Sequence, residues 1–125
     1  MTVKQGIINN AIWVIKRLMG CNLPIAEAKA VYMLHKELDE HYKFAVEEEK
    51  KIVESLGGTI MSDGGIQFKE NSEECSNKFI EKRNELCKLD VNIEVEPIHI
   101  PIADVEGCKF RPADIEAVEQ FIIFE

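Results

Sequence analysis

The chain carries four cysteines and three histidines, the residue types that most often bind metals or act as nucleophiles and bases. The cysteines are Cys21, Cys75, Cys87 and Cys108. No two of them form the C-x-x-C pair that indicates a zinc or redox site. Their spacings favour four reduced cysteines, and a disulfide or a metal site is the alternative that they leave open.

The histidines form no metal-binding pattern. His35 and His41 are six residues apart on one predicted helix, so about 240° around its axis separates them and they cannot share a metal. A di-metal carboxylate site needs a glutamate three residues before the histidine, where this chain has Tyr32 and Leu38. His99 is predicted to lie on the polar face of an alternating segment. We therefore predict no metal ligand and no cofactor.

Local motifs for catalysis are also missing, and a Ser/His/Asp or Cys/His triad assembled from distant residues is the alternative that composition leaves open. No serine stands in a G-x-S-x-G elbow, and no glycine-rich motif for phosphate binding is present. The pair Gly64-Gly65 is typical of a turn instead. We predict a protein that is not an enzyme and has no catalytic residues.

The segment Lys109-Phe110-Arg111 places an aromatic ring between two cations. Such a trio can stack on an anionic nucleotide and pair with its phosphate. We therefore treat Lys109, Phe110 and Arg111 as a candidate ligand site. The alternative is a surface loop that leads into a helix.

The charge of the chain is uneven. Its 125 residues contain 15 Lys and Arg against 23 Asp and Glu, and a net charge of −8 argues against a protein that binds the phosphates of duplex nucleic acid. Residues 90–125 hold nine of the acidic residues and only two of the basic ones. Glu94, Glu96 and Asp104 in this part are a candidate surface for a basic partner. The alternative is that they only keep the protein soluble.

Three predicted helices form the scaffold that positions the candidate residues. The first covers roughly residues 3–19, and the second continues without interruption from Pro24 to about Ser55. The second helix repeats apolar residues at a strict interval of seven: Val31, Leu38, Ala45 and Ile52. A helix this long in a short chain must pair with another helix. A third helix, roughly 72–89, is predicted to run back antiparallel along it.

Short β-segments are predicted at the tip and near the C-terminus. Runs at 59–61 and 66–68 flank an Asp-Gly pair, which predicts a hairpin at the tip of the helical pair. Residues 91–102 alternate apolar and polar side chains and contain two prolines, which suits an edge strand. A short last helix follows, and the tail 122–124 is predicted to dock into the core or a partner.

Together these elements predict an α+β fold that is predominantly helical: a long antiparallel helical hairpin with an N-terminal helix, a tip β-hairpin and a small C-terminal β-element. We expect one domain, 1–125, with a helical scaffold over 1–89 and an acidic β-segment and short helix over 90–125. No apolar run approaches the ~18 residues of a membrane span, so no membrane partner is expected. The first helix and the Phe121–Phe124 tail carry more apolar surface than three helices can cover, which predicts a homo-oligomer.

Several stretches resemble a group of small uncharacterised proteins from phages and prophages of low-GC Gram-positive bacteria. The stretches are Leu23-Pro24-Ile25-Ala26, the run Glu47–Lys51 ending at Gly57, Asn84-Glu85-Leu86 and the ending Pro112–Ile122. The resemblance spans roughly residues 12–122 and brings no catalytic residues with it. It implies a phage accessory protein that works in the cytoplasm of a bacterial host.

The features and the resemblance together predict a non-catalytic binding protein that inhibits a host defence system. It would do so by occluding a protein component or by sequestering a small signalling nucleotide. The alternative is a structural or assembly protein, either a virion component or a chaperone, built on a helical rod. The predicted partners are further copies of the chain and a host defence protein or signalling nucleotide.

Overall fold

The computed structural model describes all of residues 1–125 and has an α+β fold that is predominantly helical, as predicted. The elements along the chain are β1 (Thr2–Lys4), α1 (Gln5–Met19), α2 (Ile25–Ser55), β2 (Gly58–Ile60), β3 (Ile66–Phe68), α3 (Ser72–Cys87), β4 (Asp90–Asn92), β5 (Ile98–Ile100), a 3₁₀ helix (Ile102–Cys108), α4 (Pro112–Val118) and β6 (Ile122–Phe124). None of the helices combines the length and the apolar content needed to cross a membrane.

Helix α2 is a rod that packs against α1 along its first half and against α3 along its second half. The side-chain amide of Gln5 donates to the carbonyl oxygen of His41 (3.0 Å) near the boundary between the two halves. At the far end, the Cys75 thiol donates to the carbonyl oxygen of Leu56 (3.6 Å). Three of the residues spaced by seven, Val31, Leu38 and Ala45, are buried, and Ile52 is half-buried. The predicted antiparallel helical hairpin is confirmed.

The main core contains 17 buried side chains. They come from β1, from α1, from the first half of α2 and from the chain between Ile93 and Ile122. Phe121 is fully buried and Ile122 nearly so, because both side chains belong to this core. The prediction of a homo-oligomer rested on the apolar surface of the first helix and the tail. The chain covers much of that surface itself, but Trp13, Met19 and Ile123 stay exposed.

Three separate strand pairs complete the fold. The hairpin β2–β3 is antiparallel, as predicted, and its turn contains Gly64 at a φ of 87°, a conformation that favours glycine. Strands β1 and β4 form a second antiparallel pair, and β5 and β6 form a parallel one. The prediction of helix from residue 3 is wrong for Val3 and Lys4, because both residues pair with β4. The helix starts at Gln5, whose N–H donates to the carbonyl oxygen of Leu89 (2.8 Å).

Strand β5 is an edge strand, as its prolines predicted. The N–H of Ile98 donates to the carbonyl oxygen of Phe121 (2.8 Å), so the backbone of Ile98 faces β6 and that of the residues on either side faces away. Pro97 and Pro101 stand at two of the positions that face away and lack an N–H there. The outer edge of β5 therefore offers little to an added strand.

A disulfide joins Cys21, in the connection between α1 and α2, to Cys108 at the end of the 3₁₀ helix. The two residues are 87 positions apart in the sequence, and their Cα atoms are 6.3 Å apart, within the range of disulfides. Cys75 and Cys87 are free. The expectation of four reduced cysteines is therefore wrong for Cys21 and Cys108, because the fold brings together two cysteines that sequence spacing keeps far apart.

Candidate functional site

The segment that follows β4 is fastened to α2 by Glu37. One carboxylate oxygen of Glu37 accepts the backbone N–H of Glu94 (2.6 Å), and the other accepts that of Val95 (3.1 Å). These two donors lie outside the strands, so the carboxylate supplies the partners that the backbone needs. Glu37 therefore fixes Glu94 beside the middle of α2.

A second contact joins this part of the chain to the start of α2. Asp104, in the 3₁₀ helix, lies beside Glu27 in the first turn of α2. Burial raises the pKa of Glu27, and a hydrogen bond from its protonated form to Asp104 and the charge of Asp104 raise it further. One buried oxygen of Glu27 has no hydrogen-bond partner. Neither of these two carboxyl groups forms an ion pair with a basic side chain.

Carboxylates therefore line the junction between α2 and residues 93–105. We call this surface the acidic seam and define it by Glu27, Glu37, Glu94, Glu96 and Asp104. A shallow cleft of about 530 Å³ adjoins it, and the basic side chains that line the cleft are Lys36 and His41. The seam is predominantly negative, and Glu37 holds its backbone at Glu94 and Val95.

The sequence identified only part of the acidic seam. Glu94, Glu96 and Asp104 were candidates because of the charge imbalance of the last 36 residues. Glu27 and Glu37 were not, because glutamates on a long charged helix are typical of a solvated face. Glu37 acquires its role through a segment 57 positions away, and no local pattern marks such a contact.

The structure divides the candidate trio Lys109-Phe110-Arg111. Lys109 has a left-handed backbone (φ 53°) at the end of the 3₁₀ helix, and Phe110 is half-buried. Both line a groove of about 270 Å³. The other lining residues are Ile102, Val105, Glu106, Ile115 and Phe124. The guanidinium over the Phe110 ring comes from Arg17 of α1, 5.0 Å from the ring centre, and not from the neighbouring Arg111.

Arg111 and Asp114 start α4. The Asp114 carboxylate accepts the backbone N–H of Arg111 (2.9 Å) and a guanidinium N–H of Arg17 (2.8 Å), so it connects α4 to α1. The backbone N–H of Arg111 is the main cause that lowers the pKa of Asp114 to about 2, and Arg17 adds to it. The Arg111 side chain itself is 78% exposed and lies near Asp114 at 3.5 Å.

Asp114 gives a prediction for the pH dependence of stability. Its folded pKa, about 2, lies below its ordinary value of 3.8, so the unfolded chain takes up the proton first. The stabilisation is complete above the ordinary pKa and is lost as the pH falls towards 2. We expect Asp114→Asn to lower the Tm by several degrees at neutral pH, and we expect this difference to shrink below about pH 4.

Thermal unfolding followed by circular dichroism across this pH range measures the effect. Asp90→Asn is the matched control, because Asp90 is an exposed aspartate that pairs with Lys4 at the surface. A Tm difference between wild type and Asp114→Asn that stays constant down to pH 2 would contradict the lowered pKa of Asp114.

The fold and these surfaces define a small, predominantly helical α+β protein whose most organised polar feature is a negative surface. No group of three His, Cys, Asp or Glu side chains is placed to hold a metal ion. The chain matches no protein-family model, no curated protein and no solved structure.

Proposed function

We propose that this chain is a non-catalytic phage accessory protein that inhibits a host defence system by occluding a basic surface of one of its protein components. The acidic seam carries the proposal, because carboxylates from two distant parts of the chain lie along one junction. A surface of this sign is complementary to one rich in lysine and arginine, and it steers such a partner into encounter. The phage origin and the bacterial cytoplasm as the place of action rest on the sequence resemblance.

The seam is prepared for a cationic partner in two ways. Glu37 holds the backbone at Glu94 and Val95, so binding has little loop entropy to lose there. The charge of Asp104 disfavours the charged form of Glu27, and an inserted lysine or arginine would offset that repulsion. Binding would thereby lower the pKa of Glu27.

Capture of host proteins by the tagged chain tests the proposal. We expect Glu94→Gln, Glu96→Gln and Asp104→Asn, combined in one variant, to lose a host protein that the wild-type chain retains. We also expect the retained protein to dissociate as the salt concentration rises, because exposed charges are screened.

The matched control changes three exposed or half-exposed glutamates in the second half of α2: Glu47→Gln, Glu49→Gln and Glu54→Gln. It removes the same amount of charge outside the seam, so it should capture the host protein as the wild type does. Equal capture by the wild type and the seam variant would contradict the proposal, and so would equal loss in both variants.

Sequestration of a signalling nucleotide is a second hypothesis, favoured by the shared groove of Lys109 and Phe110. The groove, about 270 Å³, is slightly smaller than the ~300 Å³ at which small-molecule pockets begin, and Arg17 already covers part of the Phe110 ring. The geometry therefore supports occlusion of a host protein better than sequestration of a nucleotide. A thermal shift with a cyclic nucleotide that Arg111→Glu abolishes would reverse this order.

A structural or assembly role is the third hypothesis. The 31 residues of α2 make a rod about 46 Å long, a length that suits a spacer or a chaperone arm. Presence of the protein in purified particles would favour a virion component, and its absence from them would exclude that form.

A further inference from the structure

The second half of the rod belongs to an arm whose buried side chains lie outside the main core. We define the arm as residues 42–55 of α2, the hairpin β2–β3 and α3. Four of its side chains are buried, Ala45, Val53, Phe79 and Leu86, and none of them belongs to the 17-residue core. Six of its large apolar side chains are exposed: Phe44, Val46, Ile60, Met61, Ile66 and Ile80. Two helices and a two-stranded hairpin make a thin unit, and here more large apolar groups are exposed than buried.

Part of this exposed surface lies along one side of the arm. Val46 directly follows the buried Ala45, and Ile80 directly follows the buried Phe79, so each is turned by about 100° from the line of contact between α2 and α3. Because the two helices are antiparallel, these rotations lead to the same side. Tyr42 lies one turn before Val46 on that side.

The same side continues onto α1 through the only tryptophan of the chain. The Trp13 ring packs edge-on against Tyr42, with ring centres 5.8 Å apart, and Trp13 is 56% exposed. We call Trp13, Tyr42, Val46 and Ile80 the aromatic strip. Trp and Tyr are the residue types that most often carry binding energy in protein interfaces.

The total surface area shows that the chain has enough surface for an interface of ordinary size. Its accessible surface is 8180 Å², whereas a compact monomer of 14.3 kDa exposes about 6,800 Å². The excess of about 1,400 Å² is larger than the ~800 Å² that each partner contributes to a standard interface.

The charges of the arm favour a second copy of the chain as the occupant. The two helical parts of the arm, 42–55 and 72–87, contain six Lys and Arg and eight Glu, so both signs are present. A surface with both signs can be complementary to itself, whereas the acidic seam, with one sign, repels its own copy.

We propose that the chain forms a homodimer in which the aromatic strips of two copies pack together across a two-fold axis. The four arm helices then share one apolar layer, as in a helical bundle. This interface is separate from the acidic seam, so the dimer stands or falls independently of the proposed function.

Light scattering coupled to size exclusion and the fluorescence of Trp13 test the dimer on the wild-type protein. We expect a mass of twice 14.3 kDa at micromolar concentration. We also expect the Trp13 emission to shift to longer wavelength on dilution, because dissociation exposes the ring to water. A mass of 14.3 kDa and an unchanged emission at all concentrations would overturn the proposal.

Glutamate substitutions then locate the interface. Val46→Glu and Ile80→Glu should each raise the dissociation constant about tenfold or more, because they place a charge in an apolar contact. Phe44→Glu is the matched control: Phe44 is about as exposed as Val46 and lies on the opposite side of α2, so its variant should remain a dimer.

All three positions are more than 40% exposed, so the folded monomer accommodates the glutamate, and helical circular dichroism verifies this for each variant. A dimer that persists in both Val46→Glu and Ile80→Glu would overturn the assignment of the face. So would a dimer that Phe44→Glu disrupts as strongly as they do.

Discussion

Replacing Phe121 with alanine is expected to lower the free energy of unfolding by about 3–5 kcal/mol. Phe121 is fully buried in the main core, where loss of its ring leaves a cavity that the neighbouring side chains fill only in part. Its backbone also accepts the hydrogen bond from Ile98 that begins the pairing of β5 with β6. Since domains of this size are stable by about 5–15 kcal/mol, the variant is expected to be marginally folded.

Urea denaturation followed by circular dichroism measures this effect. Phe44→Ala is the control, because Phe44 is half exposed on the arm and its truncation should change the free energy of unfolding by less than about 1 kcal/mol. A Phe121→Ala variant as stable as this control would show that the C-terminal strand does not dock into the core.

The second large effect is expected from the Cys21–Cys108 disulfide. In the oxidised protein, Cys108→Ser should lower the free energy of unfolding by about 2–4 kcal/mol. The bond joins residues 87 positions apart, and closing so long a loop removes much conformational freedom from the unfolded chain. Denaturation with and without a dithiol reductant should show the same loss in the wild-type protein.

A variant that replaces Cys75 and Cys87 by serine is the control, because both thiols are free and the disulfide should still respond to reductant. Reaction of four thiols, instead of two, in the oxidised wild-type protein after unfolding would contradict the disulfide. In a reducing cytoplasm the bond opens. The core around Phe121 must then hold the fold alone.

The elements that the sequence predicted well are those with a local signal. The seven-residue interval from Val31 to Ile52 predicted the rod, because that period places apolar residues on one face of a helix. The Asp63-Gly64 pair predicted the hairpin, and Pro97 and Pro101 predicted an edge strand. In each case, residues within a few turns or one loop determine the conformation.

Contacts between distant residues could not be predicted in the same way. Strand β1 pairs with a strand 86 or more positions away, and the disulfide and the Glu37 contacts are of the same kind. The period of the apolar residues shows which face of a helix is apolar. It does not show which other element of the fold packs on that face. The burial of Phe121 and Ile122 in the core therefore weakened one reason for a dimer, and the exposed arm supplied another.

For the candidate site, the charge imbalance of the last 36 residues located three of the five residues of the acidic seam, but neither of the two glutamates on α2. Glu94, Glu96 and Asp104 belong to a segment with a clear charge imbalance. Glu27 and Glu37 belong to a helix in which both signs alternate, so only the fold distinguishes them from their neighbours.

If both proposals hold, the dimer interface and the acidic seam act together. A dimer formed through the aromatic strips carries two acidic seams, so it can bind two basic sites on one oligomeric partner. Linked sites raise the effective concentration of the second contact, which increases the overall affinity.

The central claim is that the acidic seam binds a basic protein surface, and the affinity for the captured host protein tests it most directly. The dissociation constant is measured for the wild-type chain, the seam variant at Glu94, Glu96 and Asp104, and the control variant with neutralised glutamates on α2. We predict that the Kd rises about tenfold or more for the seam variant alone, because only that variant removes charges that face the partner. A Kd that is the same for the wild type and the seam variant would contradict the account.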